Sequence, residues 1–255
     1  MSTHSTPQIA LGIDIGGSGI KGAPVDLVTG EFAAARKRIP TPGVSTPAAV
    51  TAVIQELVDH FGLPADTPVG VAFPGPIHHG VITFIANLDE SWAGINLEQM
   101  LSDELGHQIR AANDADAAGY GEALYGAAAG SQGTILVTTL GTGIGSAIIV
   151  DGHLLPNTEL GHLEIDGFDA ESRAADSART REDLSFGQWA ERLQRYYETV
   201  EMLFSPDLIV VGGGVSKHHA EFLPLLDLRA PIVPAVLRNR AGIVGAAALA
   251  AGRGL

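Results

Sequence analysis

The chain has 255 residues, enough for one large domain or two modest lobes with a sizeable core. It has no cysteine, which excludes disulfides, thiolate zinc sites and thiol catalysis. Its 15 Lys and Arg against 29 Asp and Glu give a formal net charge of −14, so we expect no nucleic-acid partner. The polar start lacks a signal-peptide pattern, and no uncharged apolar run reaches the roughly 18 residues of a membrane span. These features predict a soluble, cytoplasmic protein that holds any phosphate by local groups.

In the first half of the chain, strands alternate with glycine turns and then with helices. Thr46 and Pro47 are typical of a helix start, as N-cap and first-turn residue. The apolar stretch near Ile9–Ile15 opens a strand–glycine–strand segment over 8–28. The further predictions are strands near 31–39, 68–73 and 108–112, and helices over 46–61 and 95–105.

The second half begins with an Ala-rich helix prediction from Asp114 to about Gly130. A second strand–glycine–strand segment follows, and residues 166–185 are charged and poor in apolar residues. We expect that stretch to be an exposed excursion or a mobile loop. The remaining predictions are a helix over 186–204, a strand that leads into three glycines at 212–214, and a helix over 240–252.

The two strand–glycine–strand segments repeat at a fixed spacing. Gly16 and Asp26 match Gly141 and Asp151, and each pair is separated by 125 residues. The hydrophobic pattern agrees although the identity is low. Two such hairpins, each opening one half of the chain, predict a duplicated two-lobed α/β architecture.

Glycine-rich turns of this kind let backbone amides approach a phosphate without a Cβ in the way. The first is not a Walker A loop, and the second lacks the dinucleotide-binding spacing because its third glycine is Gly145. For each loop taken alone, the alternative to phosphate binding is an ordinary hairpin turn. The candidate phosphate-binding residues are Asp14, Gly16, Gly17, Ser18, Gly19, Lys21, Gly141, Thr142, Gly143, Gly213 and Gly214.

Polar residues that suit a sugar lie outside these loops. Asn113 and Asp114 follow a strand and precede a helix, where a carboxylate can take a proton from a hydroxyl or simply cap the helix. Glu159 and His162 form a Glu-x-Gly-His motif, and Asn87 lies in the segment ANLDESW. A structural role is the alternative for the histidine.

The order of these motifs resembles the ROK family of sugar kinases and repressors, from about Ala10 to Ala250. The segments FPGPIHHG, ANLDESW, LEIDG and RYYETVEMLFSPDLIVVGGGVSK are similar to the branch of that family that uses polyphosphate to phosphorylate glucose. The resemblance implies an actin-like, ribonuclease H-like α/β fold with a duplicated βββαβα core and an interlobe cleft. The implied lobes are 1–112, with the helix 240–255 packed back on it, and 113–239.

The resemblance also implies the site. Asp114 would be the general base; Asn87, Asn113, Glu159 and His162 would hold the hexose; and Asp14 would sit near Mg²⁺, through water. The expected reaction moves a phosphoryl group from polyphosphate, and from ATP, to the 6-hydroxyl of glucose or mannose. Many ROK members carry a cysteine-rich zinc segment, which is absent here, so we expect no zinc. Glu164 or Glu171 would then replace that segment's sugar-binding glutamate.

Alternatives stay open on the donor and the class of protein. An ATP-only hexokinase differs only in donor. A sugar-responsive repressor would need a DNA-binding segment before residue 9, and a chaperone-like ATPase would leave the Glu-x-Gly-His motif without a purpose. The oligomeric state is either a monomer or a homodimer. Candidate residues for a polyphosphate track are Lys21, Lys217, His218, His219, Arg238 and Arg240, or the stretch with Arg173, Arg179 and Arg181.

Overall fold

A computed structural model describes residues 8–84 and 88–252. Within these ranges the chain divides into two compact units. One comprises the described residues up to Gly121 together with those from Arg240 onward, and the other is Glu122–Asn239. No helix in the described part of the chain is both long and apolar enough to cross a membrane.

The first unit is built on a five-stranded sheet. Its described elements are β1 (Ile9–Gly16), β2 (Gly19–Asp26), β3 (Lys37–Ile39), α1 (Pro47–Phe61), β4 (Val69–Phe73), β5 (Ile77–His78), β6 (Val81–Ile82), α2 (Leu97–Leu105), β7 (Ile109–Asn113) and α3 (Asp114–Tyr125). The strand order is β3-β2-β1-β4-β7. The first three strands are antiparallel, whereas β1, β4 and β7 are parallel. The carboxyl ends of β1, β4 and β7 therefore meet at one edge.

One face of this sheet forms the core with α1 and α2. Alternate β1 residues Leu11, Ile13 and Ile15 are buried there against apolar side chains of both helices. Helix α1 begins as predicted, because the Thr46 side chain accepts the Ala49 amide and Pro47 occupies the first turn. The strand predicted near 31–39 is shorter than expected, since only Lys37–Ile39 pairs with β2 as a strand.

The second unit repeats this plan. Its described elements are β8 (Thr134–Leu140), β9 (Ile144–Val150), β10 (His153–Leu155), β11 (Glu164–Ile165), β12 (Phe168–Asp169), α4 (Ala170–Ala174), α5 (Asp176–Arg181), α6 (Phe186–Phe204), β13 (Leu208–Gly212), α7 (His219–Phe222) and β14 (Ile232–Pro234). The strand order β10-β9-β8-β13-β14 and the strand directions match those of the first sheet. The duplicated core predicted from the 125-residue spacing is therefore confirmed.

The prediction for residues 166–185 is wrong. This stretch folds into the β11–β12 hairpin and the short helices α4 and α5 instead of an exposed or mobile loop. Its four alanines, Ala170, Ala174, Ala175 and Ala178, are buried, and the Trp189 indole donates to the Ala174 carbonyl at 2.9 Å. Small apolar residues thus anchor a segment that its charged residues had predicted to be exposed to solvent.

The last helix, α8 (Ala241–Ala250), packs on the first sheet at β1, β4 and β7. Glycines make this close approach possible. A Cβ at Gly12 would overlap the Ile243 backbone, and one at Gly70 would overlap that of Ala246. Helix α3 also meets α8, since a Cβ at Gly121 would lie 2.7 Å from the Ala241 carbonyl oxygen. This packing groups α3 up to Gly121 with the first unit, whereas the predicted lobe boundary falls after residue 112.

Candidate active site

Three polar residues lie at the carboxyl edge of the first sheet. Asp14 on β1 is in register with Ala72 on β4, and Ala72 is in register with Ala112 on β7. Asn113 ends β7 and Asp114 begins α3. Asp14 and the Asn113–Asp114 pair are therefore two strand spacings apart, or about 10 Å. Open α/β sheets bind ligands at this edge, outside the carboxyl ends of the strands.

The two residues at the start of α3 have different local roles. Asn113 is buried, and its Oδ1 accepts the amides of Ala115 at 2.8 Å and Asp116 at 3.2 Å. Asn113 is thus the helix cap, and any hydrogen bond that its side chain donates comes from its NH₂. Asp114 is exposed, and its Oδ1 accepts the Ala115 amide at 2.8 Å. That bond orients a carboxylate at the edge of the sheet.

The first glycine hairpin joins β1 to β2, with Gly16 opposite Gly19. The Thr41 hydroxyl donates to the Gly16 carbonyl at 2.5 Å, and Arg38 donates to the Ser18 carbonyl. Sequence reasoning missed both Arg38 and Thr41. The feature that could have found them is the pairing of β2 with β3, which places the end of β3 beside the tip of the hairpin.

Asp14 suits a magnesium ion in this setting. Its carboxylate pairs with Lys21 at 3.3 Å and is about a quarter exposed, with a side-chain exposure of 23%. Magnesium keeps several waters and binds proteins through one or two carboxylates plus substrate phosphates. A single accessible carboxylate beside a glycine hairpin fits that donor set.

The second glycine hairpin joins β8 to β9, with Leu140 opposite Ile144. Ser177 of α5 holds this loop, because its amide donates to the Gly141 carbonyl at 3.0 Å and its hydroxyl to the Thr142 carbonyl at 2.6 Å. The Gly141 amide donates to the Gly143 carbonyl. A phosphate at this loop would therefore meet the amides of Thr142 and Gly143 and the Thr142 hydroxyl.

The glycine triplet lies against this hairpin. Gly213 has φ 84°, and a Cβ there would lie 2.6 Å from the Leu140 nitrogen. Only glycine combines this backbone conformation with so close an approach. The structure thus brings the predicted residues Gly141, Gly213 and their neighbours together within the second unit.

The Glu-x-Gly-His motif forms a polar cluster with two residues that follow it. His162 Nδ1 lies 2.9 Å from Asp169 Oδ2, and the Glu171 carboxylate accepts the Ile144 amide at 2.9 Å. Glycine is required at 161, because a Cβ there would lie 3.1 Å from Glu171 Oε2 and would overlap the Ile144 carbonyl. The Glu171 carboxylate therefore lies between the glycine hairpin and the Glu159–His162 turn.

The cluster perturbs two pKa values. Partial burial raises the pKa of Glu159, nearby His162 lowers it, and the negative charge of Glu171 raises it again. The hydrogen bond with Asp169 is the main cause that raises the pKa of His162 above its ordinary value of 6.5. Burial opposes that shift, while the charges of Glu171, Asp169 and Glu159 add to it. The protonated imidazole is thus favoured among three carboxylates.

The ligand atoms of His162, Asp169 and Glu171 lie within 4.8 Å of one another. A metal ion accepts such groups, although here they already bind each other and the Ile144 amide. The absence of zinc stays a prediction. Of the two glutamates left open by the sequence, Glu164 is exposed on β11, whereas Glu171 belongs to the cluster.

Several predicted residues stand apart. Asn87 lies outside the described residues. Among the candidates for a polyphosphate track, Arg240 pairs with Glu31 and His218 pairs with Glu221 at 2.9 Å. Arg179 pairs with Asp176, and Arg181 pairs with Glu182. These cations already have acidic partners.

Known proteins resemble this chain in sequence and in structure. Residues 10–179 match the sequence profile of the ROK family. Polyphosphate glucokinase from Mycobacterium tuberculosis (strain CDC 1551 / Oshkosh) is 47% identical over 244 residues, 95% of this chain and 91% of the relative. The crystal structure of inorganic polyphosphate/ATP-glucomannokinase from Arthrobacter sp. strain KM has a TM-score of 0.90 and 54% identity, and covers 96% of this chain and 99% of its own.

A more distant structure shows the fold alone. The ROK family glucokinase from Streptomyces griseus, in complex with glucose and AMPPNP, has a TM-score of 0.78 at 23% identity, over 94% of this chain and 98% of its own. Two matching sheets, each with a glycine hairpin, define the actin-like fold of sugar kinases. The chain belongs to the ROK family. The resemblance to its polyphosphate glucokinase branch is also confirmed.

Proposed function

We propose that this chain transfers a phosphoryl group from inorganic polyphosphate, and also from ATP, to the 6-hydroxyl of glucose, with mannose as a second acceptor. The observation that carries the proposal is 54% identity, over 96% of the chain, to a protein named for both donors and both sugars. The Mycobacterium relative named polyphosphate glucokinase supports the same donor and glucose. We expect the enzyme to be cytoplasmic and to act as a monomer or homodimer.

The candidate sugar contacts are assigned residue by residue. Asp114 binds the 6-hydroxyl and takes its proton, and the NH₂ of Asn113 binds a second hydroxyl. Glu159, His162 and Glu171 are the candidates for the remaining hydroxyls, and Asn87 is a further one. Glu171 takes this role instead of Glu164, because its carboxylate lies against Gly143 and Gly161. Asp169 orients His162 and leaves Nε2 to the sugar.

The glycine hairpins supply the candidate donor-binding groups. Phosphoryl transfer has a loose transition state, so positioning and charge neutralisation supply most of the rate. Bound magnesium, held by Asp14 through water, would neutralise phosphate charge. The hairpin at Gly16, Gly17, Ser18 and Gly19, with Lys21, positions the phosphates, as does the hairpin at Gly141, Thr142 and Gly143. Gly213 and Gly214 face the far end of the donor.

A matrix of donors and acceptors tests this function. Nucleotide-free polyphosphate and ATP are each incubated with glucose, mannose, fructose and N-acetylhexosamines in the presence of Mg²⁺. Glucose 6-phosphate from both donors, and mannose 6-phosphate as a second product, are expected. Product from ATP alone would replace this proposal with an ATP-only hexokinase, and no hexose phosphate from any pair would refute a kinase function.

A further inference from the structure

A run of three cations, Arg36-Lys37-Arg38, lies at the edge of the first sheet. It is unusual in a chain with 15 Lys and Arg and a net charge of −14. Lys37 and Arg38 belong to β3, the edge strand next to β2. With Lys21 on β2, four of the 15 cations lie on β2, on β3 or directly before β3.

The strand register places two of these cations on one face. Lys21 is directly opposite Asp14 on one side and Arg38 on the other. Directly opposite residues share a face, and like charges in such positions destabilise a sheet. Asp14 pairs with Lys21, whereas no carboxylate in residues 8–84 and 88–252 pairs with Arg38. This face therefore has an unbalanced positive charge.

Both cations lie against glycines of the hairpin. A Cβ at Gly19 would lie 2.6 Å from Arg38 Cζ, and one at Gly16 would lie 3.9 Å from Lys21 Nζ. Arg38 Nη2 donates to the Ser18 carbonyl and lies 3.5 Å from the Ser18 hydroxyl. A guanidinium has five N–H donors, so Ser18 leaves most of them for an anion. Paired donors of this kind suit phosphate.

The position of Arg38 relative to Asp114 decides which phosphate it meets. The guanidinium lies over Gly19 on β2, which is three strands from β7, or about 14 Å at 4.8 Å a strand. The reacting phosphorus must lie within about 3–3.5 Å of a hydroxyl that Asp114 binds at about 3 Å. Arg38 is thus too far to contact the transferred group and can reach phosphates behind it.

We propose that Arg38 and Lys21 form a second phosphate-binding site, which binds the polyphosphate units behind the transferred one. Arg38 is then a residue that determines donor specificity. The inference rests on the proposed function. ATP has only two phosphates behind the transferred one. Polyphosphate has further units, which Arg38 and the exposed Arg36, one residue before β3, can meet.

The Arg38→Gln variant tests this inference, and Lys37→Gln is its matched control. The control removes the same charge from the neighbouring residue, whose side chain points to the opposite face and pairs with Glu56 at 3.0 Å. Michaelis constants are measured for long-chain polyphosphate and for ATP, at saturating glucose. We expect Arg38→Gln to raise the KM for polyphosphate about tenfold or more, with a change of less than about threefold for ATP. Lys37→Gln is expected to change neither constant by more than about twofold.

The outcomes separate the inference from the function. An equal rise for both donors would mean that Arg38 only braces Ser18, and no rise would mean that it binds no phosphate; each overturns the inference while the function stands. A wild-type protein that cannot use polyphosphate refutes both. Should Arg38→Gln fail to fold, Arg38→Lys keeps the charge without the planar fork, and we expect a smaller rise, again for polyphosphate alone.

Discussion

Replacement of Glu171 by glutamine tests the assignment of the sugar-binding glutamate. The carboxylate accepts the Ile144 amide at 2.9 Å and lies beside Gly161 of the Glu-x-Gly-His motif. Glutamine keeps one acceptor for Ile144, so the hairpin should survive, whereas the charged acceptor for a sugar hydroxyl is lost. A hydrogen bond to a charged group contributes about 1.5–3 kcal/mol, which corresponds to a loss of about 10- to 150-fold in kcat/KM for glucose.

The matched control is Glu164→Gln, which removes the same charge from an exposed residue of β11. Steady-state kinetics with varied glucose should show the loss for Glu171→Gln and a change of less than about twofold for Glu164→Gln. Thermal melting of both variants separates a folding defect from a binding defect. The reverse pattern, with Glu164 sensitive and Glu171 silent, would refute the assignment.

Two further predictions concern protonation and packing. In metal-free protein, NMR titration should give His162 a pKa above 6.5, and the Asp169→Asn variant should lower that pKa. The stability that this pair contributes is present below pH 6.5 and is lost as the pH rises through the folded pKa. The same His162 pKa in the wild type and in Asp169→Asn would contradict the pairing. Gly245→Ala should destabilise the fold by about 1–3 kcal/mol, because its Cβ would overlap the Ala117 carbonyl. At about 2–4 °C per kcal/mol the loss is visible by calorimetry, and Gly43→Ala, where a Cβ meets nothing within 4 Å, should leave the melting temperature unchanged.

Local signals in the sequence were sufficient to predict several helix boundaries and the duplicated sheets. Thr46 and Pro47 marked the start of α1, and the repeat of Gly16 at Gly141 gave the duplicated sheets. Helix α6 begins and ends at the predicted residues, 186 and 204, because Ser185 and Gln188 form a capping box. These features depend on residues a few positions apart, which a sequence displays directly.

Features that depend on distant contacts were missed or left open. Helices α4 and α5 bury alanines against the core of α6, and no local pattern shows that burial. Glu171 meets the amide of Ile144, 27 residues earlier in the chain, and Arg38 meets Ser18, 20 residues earlier. Asn113 was predicted as a sugar ligand, yet its Oδ1 caps α3, a role that the sequence assigned as the alternative for Asp114. Tertiary register decides each of these cases.

The general base is tested most directly by Asp114→Asn. The variant keeps the size of the side chain and an oxygen for the Ala115 amide, so the glucose dissociation constant, measured by calorimetry, should change by only a few fold. Loss of the base should lower kcat with polyphosphate by about 100- to 10,000-fold. Asparagine at 114 with most of the wild-type turnover would contradict the account.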